Sequence, residues 1–156
     1  MGKILLIILL SVLFSVTAFT QKNQSAPWIS YPSANQTEYG VYHFRKTFNL
    51  DKAPDQLVIH VSADNRYNLF VNGTRVCYGP AKGDLKTYKY DEIDIAPFLK
   101  PGKNVLAVVV YNGGKDKPLA FISAQTAFML RAKNPEFSWV NTNPSWKVFK
   151  KTQRTK

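Results

Sequence analysis

Hydrophobic and polar residues alternate along much of the chain beyond residue 40, which is the pattern of half-buried β-strands. Over residues 41–48, Tyr42, Phe44 and Phe48 fall on one face, and mostly polar side chains fall on the other. Residues 57–62 alternate in the same way, with their aliphatic side chains on one face. Beyond the first twenty residues, no window sustains a helical period over ten residues. The chain is therefore predicted to be built from strands.

Turn-forming residues separate these strands and identify one hairpin. Asn72-Gly73 stands between the β-rich runs 67–71 and 74–78. Both turn residues tolerate the positive φ that a two-residue hairpin turn requires. The continuous apolar run 105–110 predicts a strand buried on both faces.

The remaining strand candidates are shorter or less regular. Residues 88–95 fit a strand, and residues 119–123 and 127–132 fit weaker ones. A short helical turn is expected at 96–100. Seven to nine short strands separated by regular turn signals predict an all-β sandwich or barrel. A last strand is suggested by Val140, Trp146 and Val148.

The first twenty residues have the three-part plan of a secretory signal peptide. An eleven-residue run from Ile4 to Phe14 is apolar except for one serine, and Ala18 and Thr20 are candidate cleavage positions. The run is too short to span a membrane, so we expect an exported, periplasmic or extracellular chain with no stable membrane span. The predicted division is a signal peptide (1–20), an N-terminal extension (21–40), a β-sandwich domain (41–149) and a basic tail (150–156).

The charge balance is strongly basic, with 21 Lys and Arg against 10 Asp and Glu and a formal net charge of +11. Such a balance can indicate nucleic acid or an anionic surface as a partner. The basic residues are spread along the chain and an exported protein rarely meets nucleic acid, so no nucleic-acid partner is expected. The densest group, at residues 147–156, is interpreted as a solvated tail. Electrostatic binding to an acidic polysaccharide stays open, and it would weaken steeply with salt.

Residues able to carry catalysis or bind a metal are few. Cys77 is the single cysteine and lies in an apolar strand pattern, so we expect a buried, unreactive thiol. His43 and His60 each stand between strand residues and are expected on solvent-facing sides of strands. One cysteine and two separated histidines give a transition-metal site little support. No metal and no other cofactor is expected.

Four segments, in order, resemble the N-terminal region of secreted bacterial α-L-rhamnosidases. They are YGVYHFRKTF at 39–48, VSADNRYNLFVNG at 61–73, GPAKGDL at 79–85 and DIAPFLKPGKNVL at 94–106. The hairpin and the last segment are shared with a broader set of glycosidase jelly rolls. The pieces at 64–67 and 79–85 are more typical of rhamnosidases. The resemblance extends from about Trp28 to Val148.

The resemblance implies a jelly-roll, galactose-binding-like β-sandwich of about seven to nine antiparallel strands, acting as an accessory domain. In the family, catalysis belongs to a downstream helical barrel that is absent from these 156 residues and would be the partner of this domain. No residue is therefore expected to be catalytic. Asp64 and Asp84 lie in turns and are expected to accept hydrogen bonds from backbone amides. The chain is either part of a truncated enzyme or a free-standing carbohydrate-binding module for rhamnose-containing polysaccharide.

Carbohydrate binding is the activity that such a module would retain. Sugars lay their C–H faces on aromatic rings and bond their hydroxyls to Asp, Asn or Arg. The competing interpretation is that 64–66 and 79–84 form a structural loop network, or a docking face for the missing barrel. Likewise, the apolar segments 119–122 and 127–130 either dock that barrel or fill the core. The candidate carbohydrate-binding residues are Trp28, Tyr31, Asn65, Arg66, Tyr78 and Asp84.

Overall fold

A computed structural model of the protein describes residues 25–35, 37–81, 83–84, 86–119, 121 and 123–151. The predicted signal peptide and the end of the predicted basic tail lie outside the described residues. Short 3-10 turns at 96–98, 114–116 and 135–140 join some of the strands. The strands of the described part are β1 (Ile29–Ser30), β2 (Tyr39–Leu50), β3 (Val58–Ala63), β4 (Arg66–Val71), β5 (Thr74–Gly79), β6 (Asp91–Asp94), β7 (Gly102–Gly113), β8 (Ala127–Ala132) and β9 (Lys147–Lys150).

These strands form two antiparallel sheets packed face to face. One sheet has the order β1-β8-β3-β6, and the other has the order β5-β4-β7-β2-β9. Every pairing in both sheets is antiparallel. The prediction of an all-β sandwich of seven to nine antiparallel strands is confirmed. Strand β1 lies within the predicted N-terminal extension and pairs with β8, so that segment contributes to the first sheet.

The core lies between the sheets and follows the predicted alternation. Tyr42 and Phe44 of β2 are buried, as are Leu57, Ile59 and Val61 on the opposite side. The Phe44 ring lies 5.4 Å from that of Phe128 on β8, which ties the two sheets together at their centre. Each fully buried side chain of this size contributes about 2–3 kcal/mol.

The prediction that the 105–110 run is buried on both faces is wrong. Strand β7 alternates, with Leu106, Val108 and Val110 buried and the residues between them only half-buried. The strand occupies the centre of the five-stranded sheet, between β4 and β2. Its second face points away from the four-stranded sheet, and no described element forms a third layer over it. The apolar run therefore corresponds to a central strand whose outer face is partly exposed to solvent.

Other boundaries also differ from the predictions. Only 91–94 of the predicted strand 88–95 is a strand, and none of the described residues of 119–123 forms one. The predicted strand 127–132 is confirmed as β8, and the last strand is confined to 147–150. Phe128 is fully buried, so this ring fills the core and is not part of an exposed docking face.

A pair of asparagines closes one end of the five-stranded sheet. Asn72, with φ 51°, forms the predicted hairpin turn with Gly73, and its side-chain amide donates to Asn104 Oδ1 at 2.8 Å. Asn104 is fully buried, and it also accepts from the Lys100 amide and donates to the Lys100 and Gly102 carbonyls. One buried side chain thus supplies the hydrogen bonds of the turn that enters β7.

Asn104→Ala is expected to lower the free energy of unfolding by about 2–4 kcal/mol, because it removes a fully buried side chain that makes four hydrogen bonds, three of them to the backbone of Lys100 and Gly102. Urea unfolding followed by circular dichroism measures the loss. Asn49→Ala, at an exposed position of β2, is the control and is expected to change stability by less than about 0.5 kcal/mol. Equal losses in the two variants would contradict this role of Asn104.

Candidate functional site

A small cleft lies at one end of the sandwich, where loops from both sheets meet. It is lined by residues 63–66 between β3 and β4, by residues of the 80–84 loop after β5, by Tyr88 and Lys89, and by Phe121. Its cavity volume is about 40 Å³ and it is open to solvent. The cleft therefore has room for one edge of a small ligand and not for a buried one.

The buried carboxylate of Asp64 organises this cleft. Asp64 is 1% exposed, and its Oδ2 accepts hydrogen bonds from the Ser123 hydroxyl (2.8 Å) and from the backbone amides of Ala124 (3.0 Å) and Gln125 (2.5 Å). The Tyr88 hydroxyl donates to Oδ1 at 3.4 Å. Within the described part of the chain, no Lys or Arg nitrogen lies within 4.0 Å of this carboxylate. Four hydrogen bonds from two separate segments, residues 123–125 and Tyr88, therefore replace its water.

Asp84 shapes the opposite wall. Its Oδ1 accepts from the backbone amides of Lys86 and Thr87, both at 2.8 Å, in an Asx-type turn. Both aspartates thus bond backbone amides, as expected from their positions in turns. The outer oxygen of Asp84, Oδ2, has no hydrogen-bond partner among the described residues, and the residue is exposed.

Asn65 and Arg66 form the floor between these walls. Asn65 adopts a positive φ of 80°, a conformation that asparagine tolerates better than most residues, and its amide donates to Ser123 Oγ at 3.1 Å. Arg66 donates from Nη1 to the Pro80 carbonyl. Its guanidinium carbon lies 5.0 Å from the centroid of the Phe121 ring, a cation–π arrangement. Both side chains are only half-buried, so parts of each face the cleft.

Trp28 supports the cleft from behind. Its ring centroid lies 5.0 Å from that of Tyr88, and both residues are half-buried. Burial first, and then the negative charge of Asp64, raises the pKa of Tyr88 above its ordinary value. The Tyr88 hydroxyl therefore stays protonated at neutral pH and acts as a hydrogen-bond donor.

The other two candidate residues lie elsewhere. Tyr31 is half-buried with its ring 6.0 Å from that of Tyr42, so it packs on the core. Tyr78 is 73% exposed on β5, opposite Asn68, and faces away from the cleft. Of the six predicted residues, Asn65, Arg66 and Asp84 come together in the cleft, and Trp28 contacts its wall.

Sequence reasoning did not assign Tyr88 and Phe121 to the site. Tyr88 falls in a segment whose residues alternate as in a strand, so the sequence predicted a strand where the structure has a loop. Phe121 lies in a stretch without periodicity, and its place in the cleft is seen only from its contact with Arg66 in the structure. No signal in the sequence alone would have found Phe121.

The histidines and the cysteine lie away from the cleft. His43 is exposed on β2, and His60 is paired with Glu92 at 2.8 Å, where Lys133 and then His60 lower the pKa of Glu92. Cys77 is half-buried, so the expectation of a buried thiol is wrong. It lies on β5, the edge strand of its sheet, with Sγ 3.5 Å from the Tyr67 hydroxyl. Among the described residues, no group of three His, Cys, Asp or Glu side chains could hold a metal ion.

The fold is similar to parts of several solved structures. A rhamnosidase of glycoside hydrolase family 78 from Bacillus sp. GL1 matches with a TM-score of 0.71 and 26% identity over 81% of this chain, which is 13% of that enzyme. An α-L-rhamnosidase from Dictyoglomus thermophilum matches with a TM-score of 0.63 and 19% identity over 83% of this chain and 17% of the enzyme. A lectin from Pleurotus ostreatus matches with a TM-score of 0.56 and 22% identity over 83% of this chain and 36% of the lectin.

These matches confirm the predicted resemblance to a small accessory domain of α-L-rhamnosidases. The chain spans less than a fifth of the length of either rhamnosidase. No protein-family model and no curated protein sequence matches the chain. Within the described residues, no helix has the length and apolar character needed to cross a membrane.

Asp64→Ala is expected to lower the free energy of unfolding by about 3 kcal/mol, because it removes the acceptor for Ser123, Ala124 and Gln125 at a buried position. The segment around residues 121–125 should become the first site of cleavage in limited proteolysis, located by mass spectrometry. The exposed Asp51→Ala substitution is the control. A wild-type cleavage pattern in Asp64→Ala would show that this carboxylate does not hold the segment.

Proposed function

We propose that this chain is a non-catalytic accessory module of an α-L-rhamnosidase-type glycoside hydrolase, and that its end cleft binds a sugar. The observation that carries the proposal is the convergence of Asn65, Arg66 and Asp84 on one open cleft in a rhamnosidase-like sandwich. Rhamnose-containing polysaccharide is the ligand class that this relationship favours. The predicted signal peptide at residues 1–20 supports export to the periplasm or the extracellular space, where such a polysaccharide is met.

The free hydrogen-bonding groups of the cleft suit a neutral polyhydroxyl ligand. Asn65 Oδ1 and Asp84 Oδ2 are acceptors without partners among the described residues, while Arg66 carries five N–H donors and uses one of them on Pro80. A sugar hydroxyl both donates and accepts, so adjacent hydroxyls can bond an acceptor and the guanidinium together. Phe121 adds an apolar surface beside them for a C–H face.

The same hydrogen bonds argue against hydrolysis at this cleft. Glycoside hydrolysis needs one carboxylic acid to protonate the leaving oxygen and a second carboxylate as nucleophile or base. Asp64 already accepts four hydrogen bonds and is buried, so it has no free face toward a ligand. Asp84 is held by the turn that it caps. Asp84 Oδ2 is thus the single carboxylate oxygen of this pair that is open to a ligand, and hydrolysis needs a second free carboxyl group.

A free-standing carbohydrate-binding module is the second candidate function. The continuous core of the described residues favours it, because buried side chains from both sheets pack together without another domain. The two candidates share the cleft and differ in genetic context. Rhamnosidase barrel sequence following the coding region, in or out of frame, would favour the truncated enzyme, and unrelated sequence would favour the free module.

Isothermal titration with L-rhamnose is expected to detect binding in the millimolar range, which corresponds to about −4 kcal/mol. Arg66→Ala should weaken binding by about tenfold or more, because it removes the charged donor beside Phe121. Tyr78→Ala is the matched control, since this exposed tyrosine was a sequence candidate but lies away from the cleft. Galactose is titrated in parallel to test the choice of sugar.

No heat at millimolar rhamnose or rhamnogalacturonan fragments would exclude the sugar site. Loss of rhamnose binding in Tyr78→Ala, with binding retained in Arg66→Ala, would show that the sugar binds on the outer face of the five-stranded sheet and not in the end cleft. An aryl rhamnoside incubated with the protein should release no more phenol than buffer does. Release of phenol above the buffer level that is lost in Asp84→Asn would contradict the proposed accessory module and show that the chain is an enzyme.

A further inference from the structure

The outer face of the five-stranded sheet carries a second feature that the cleft does not use. Outward side chains of β9, β2 and β7 lie side by side, since β2 pairs with both other strands. Arg45 stands directly opposite Lys147 on β9, and Asn49 stands opposite Lys103 on β7. Three cations thus come from three adjacent strands.

These cations surround a groove. Arg45, Lys103 and Lys147 line it together with the hydroxyl residues Thr47 and Ser145, and its volume is about 320 Å³. The groove is much larger than the end cleft and lies at a different part of the sandwich. We name it the cationic groove.

The charges in the cationic groove are uncompensated. Across the described residues, Arg45, Lys103 and Lys147 have no carboxylate within 4.0 Å, whereas Lys133 and Lys150 elsewhere on the protein do. Like charges directly opposite each other in a sheet are destabilising. The Arg45–Lys147 pair therefore costs the free protein stability, and a bound anion would remove this cost.

An exposed aromatic ring lies on the same face of β9 as Lys147, outside the lining of the cationic groove. Phe149 is 62% exposed and lies two residues beyond Lys147, so both side chains share the outer face of β9. Its ring centroid lies 6.4 Å from that of His43 on β2. Cations beside an exposed ring can hold a ligand that combines negative charge with a flat apolar face.

We propose that the cationic groove is a second binding site and that it takes an acidic polysaccharide. Uronate carboxylates would pair with Arg45, Lys103 and Lys147 while a sugar ring lies on Phe149. The ligand's carbohydrate class rests on the proposed function, whereas its acidity rests on the uncompensated charges. A nucleic acid could also use cations and aromatic rings, but the predicted export of the chain argues against it.

The test compares variants that lose the same charge in different places. Arg45→Gln/Lys147→Gln should weaken binding to polygalacturonate by about tenfold at low salt, since two exposed ion pairs are lost. Lys52→Gln/Lys115→Gln removes two exposed cations elsewhere and should change affinity by less than about twofold. Phe149→Ala reports the stacking contribution. Arg66→Ala should still bind polygalacturonate, because Arg66 lies in the end cleft. Loss of rhamnose binding at the end cleft and loss of polygalacturonate binding at the cationic groove can therefore be told apart.

Thermal unfolding provides the second readout, because it also shows that every variant is folded. Polygalacturonate should raise the melting temperature of the wild type and leave that of Arg45→Gln/Lys147→Gln nearly unchanged. If both double variants bind polygalacturonate equally more weakly than the wild type, binding depends on net charge alone, and the proposal of a specific site is wrong. Undiminished binding by the groove variant would also overturn it. Equal or tighter groove-dependent binding to single-stranded DNA of matched charge would overturn the polysaccharide assignment.

Discussion

The buried carboxylate of Asp64 is the constraint on which the end of the sandwich depends. A carboxylate with 1% exposure is costly unless hydrogen bonds replace its water, and no Lys or Arg nitrogen of the described chain lies within 4.0 Å of it. The chain meets the requirement by bringing Ser123–Gln125 and Tyr88 onto the two carboxylate oxygens. Those contacts place the surrounding loops. The positions of Tyr88 and of residues 123–125 are therefore a consequence of satisfying one buried carboxylate, whereas Arg66 and Asp84 hold the 80–84 loop.

The rest of the sandwich supports this arrangement. It also presents two surfaces that differ in their chemical groups. Antiparallel pairing and the interlocked rings of Phe44 and Phe128 close the core, so the loops start from fixed strand ends. The end cleft offers free acceptors and one guanidinium, which suits hydroxyl groups. The outer sheet face offers uncompensated cations beside Phe149, which suits negative charge. Under the two proposals, these surfaces would bind different parts of a polysaccharide.

Much of the fold could be predicted because local patterns and the observed packing agree. The alternation around Tyr42 and Phe44 marked the core face of β2, and Asn72-Gly73 marked the hairpin through its positive φ. The site was only partly predictable. Asn65, Arg66 and Asp84 lie in turns whose residue types suggest a function, whereas Phe121 reaches the cleft through a long-range contact without periodicity. The 105–110 run misled because apolar composition cannot show whether a third layer covers a sheet.

A titration of the isotope-labelled protein with L-rhamnose, followed by amide nuclear magnetic resonance, tests the central claim most directly. We expect the amide shifts at millimolar sugar to cluster at residues 63–66, 81–84 and 88–89, because these segments line the end cleft. Amides of the outer sheet face, such as those of Tyr78 and Phe149, should not move. Shifts confined to that sheet face, or no shifts at saturating rhamnose, would contradict the account.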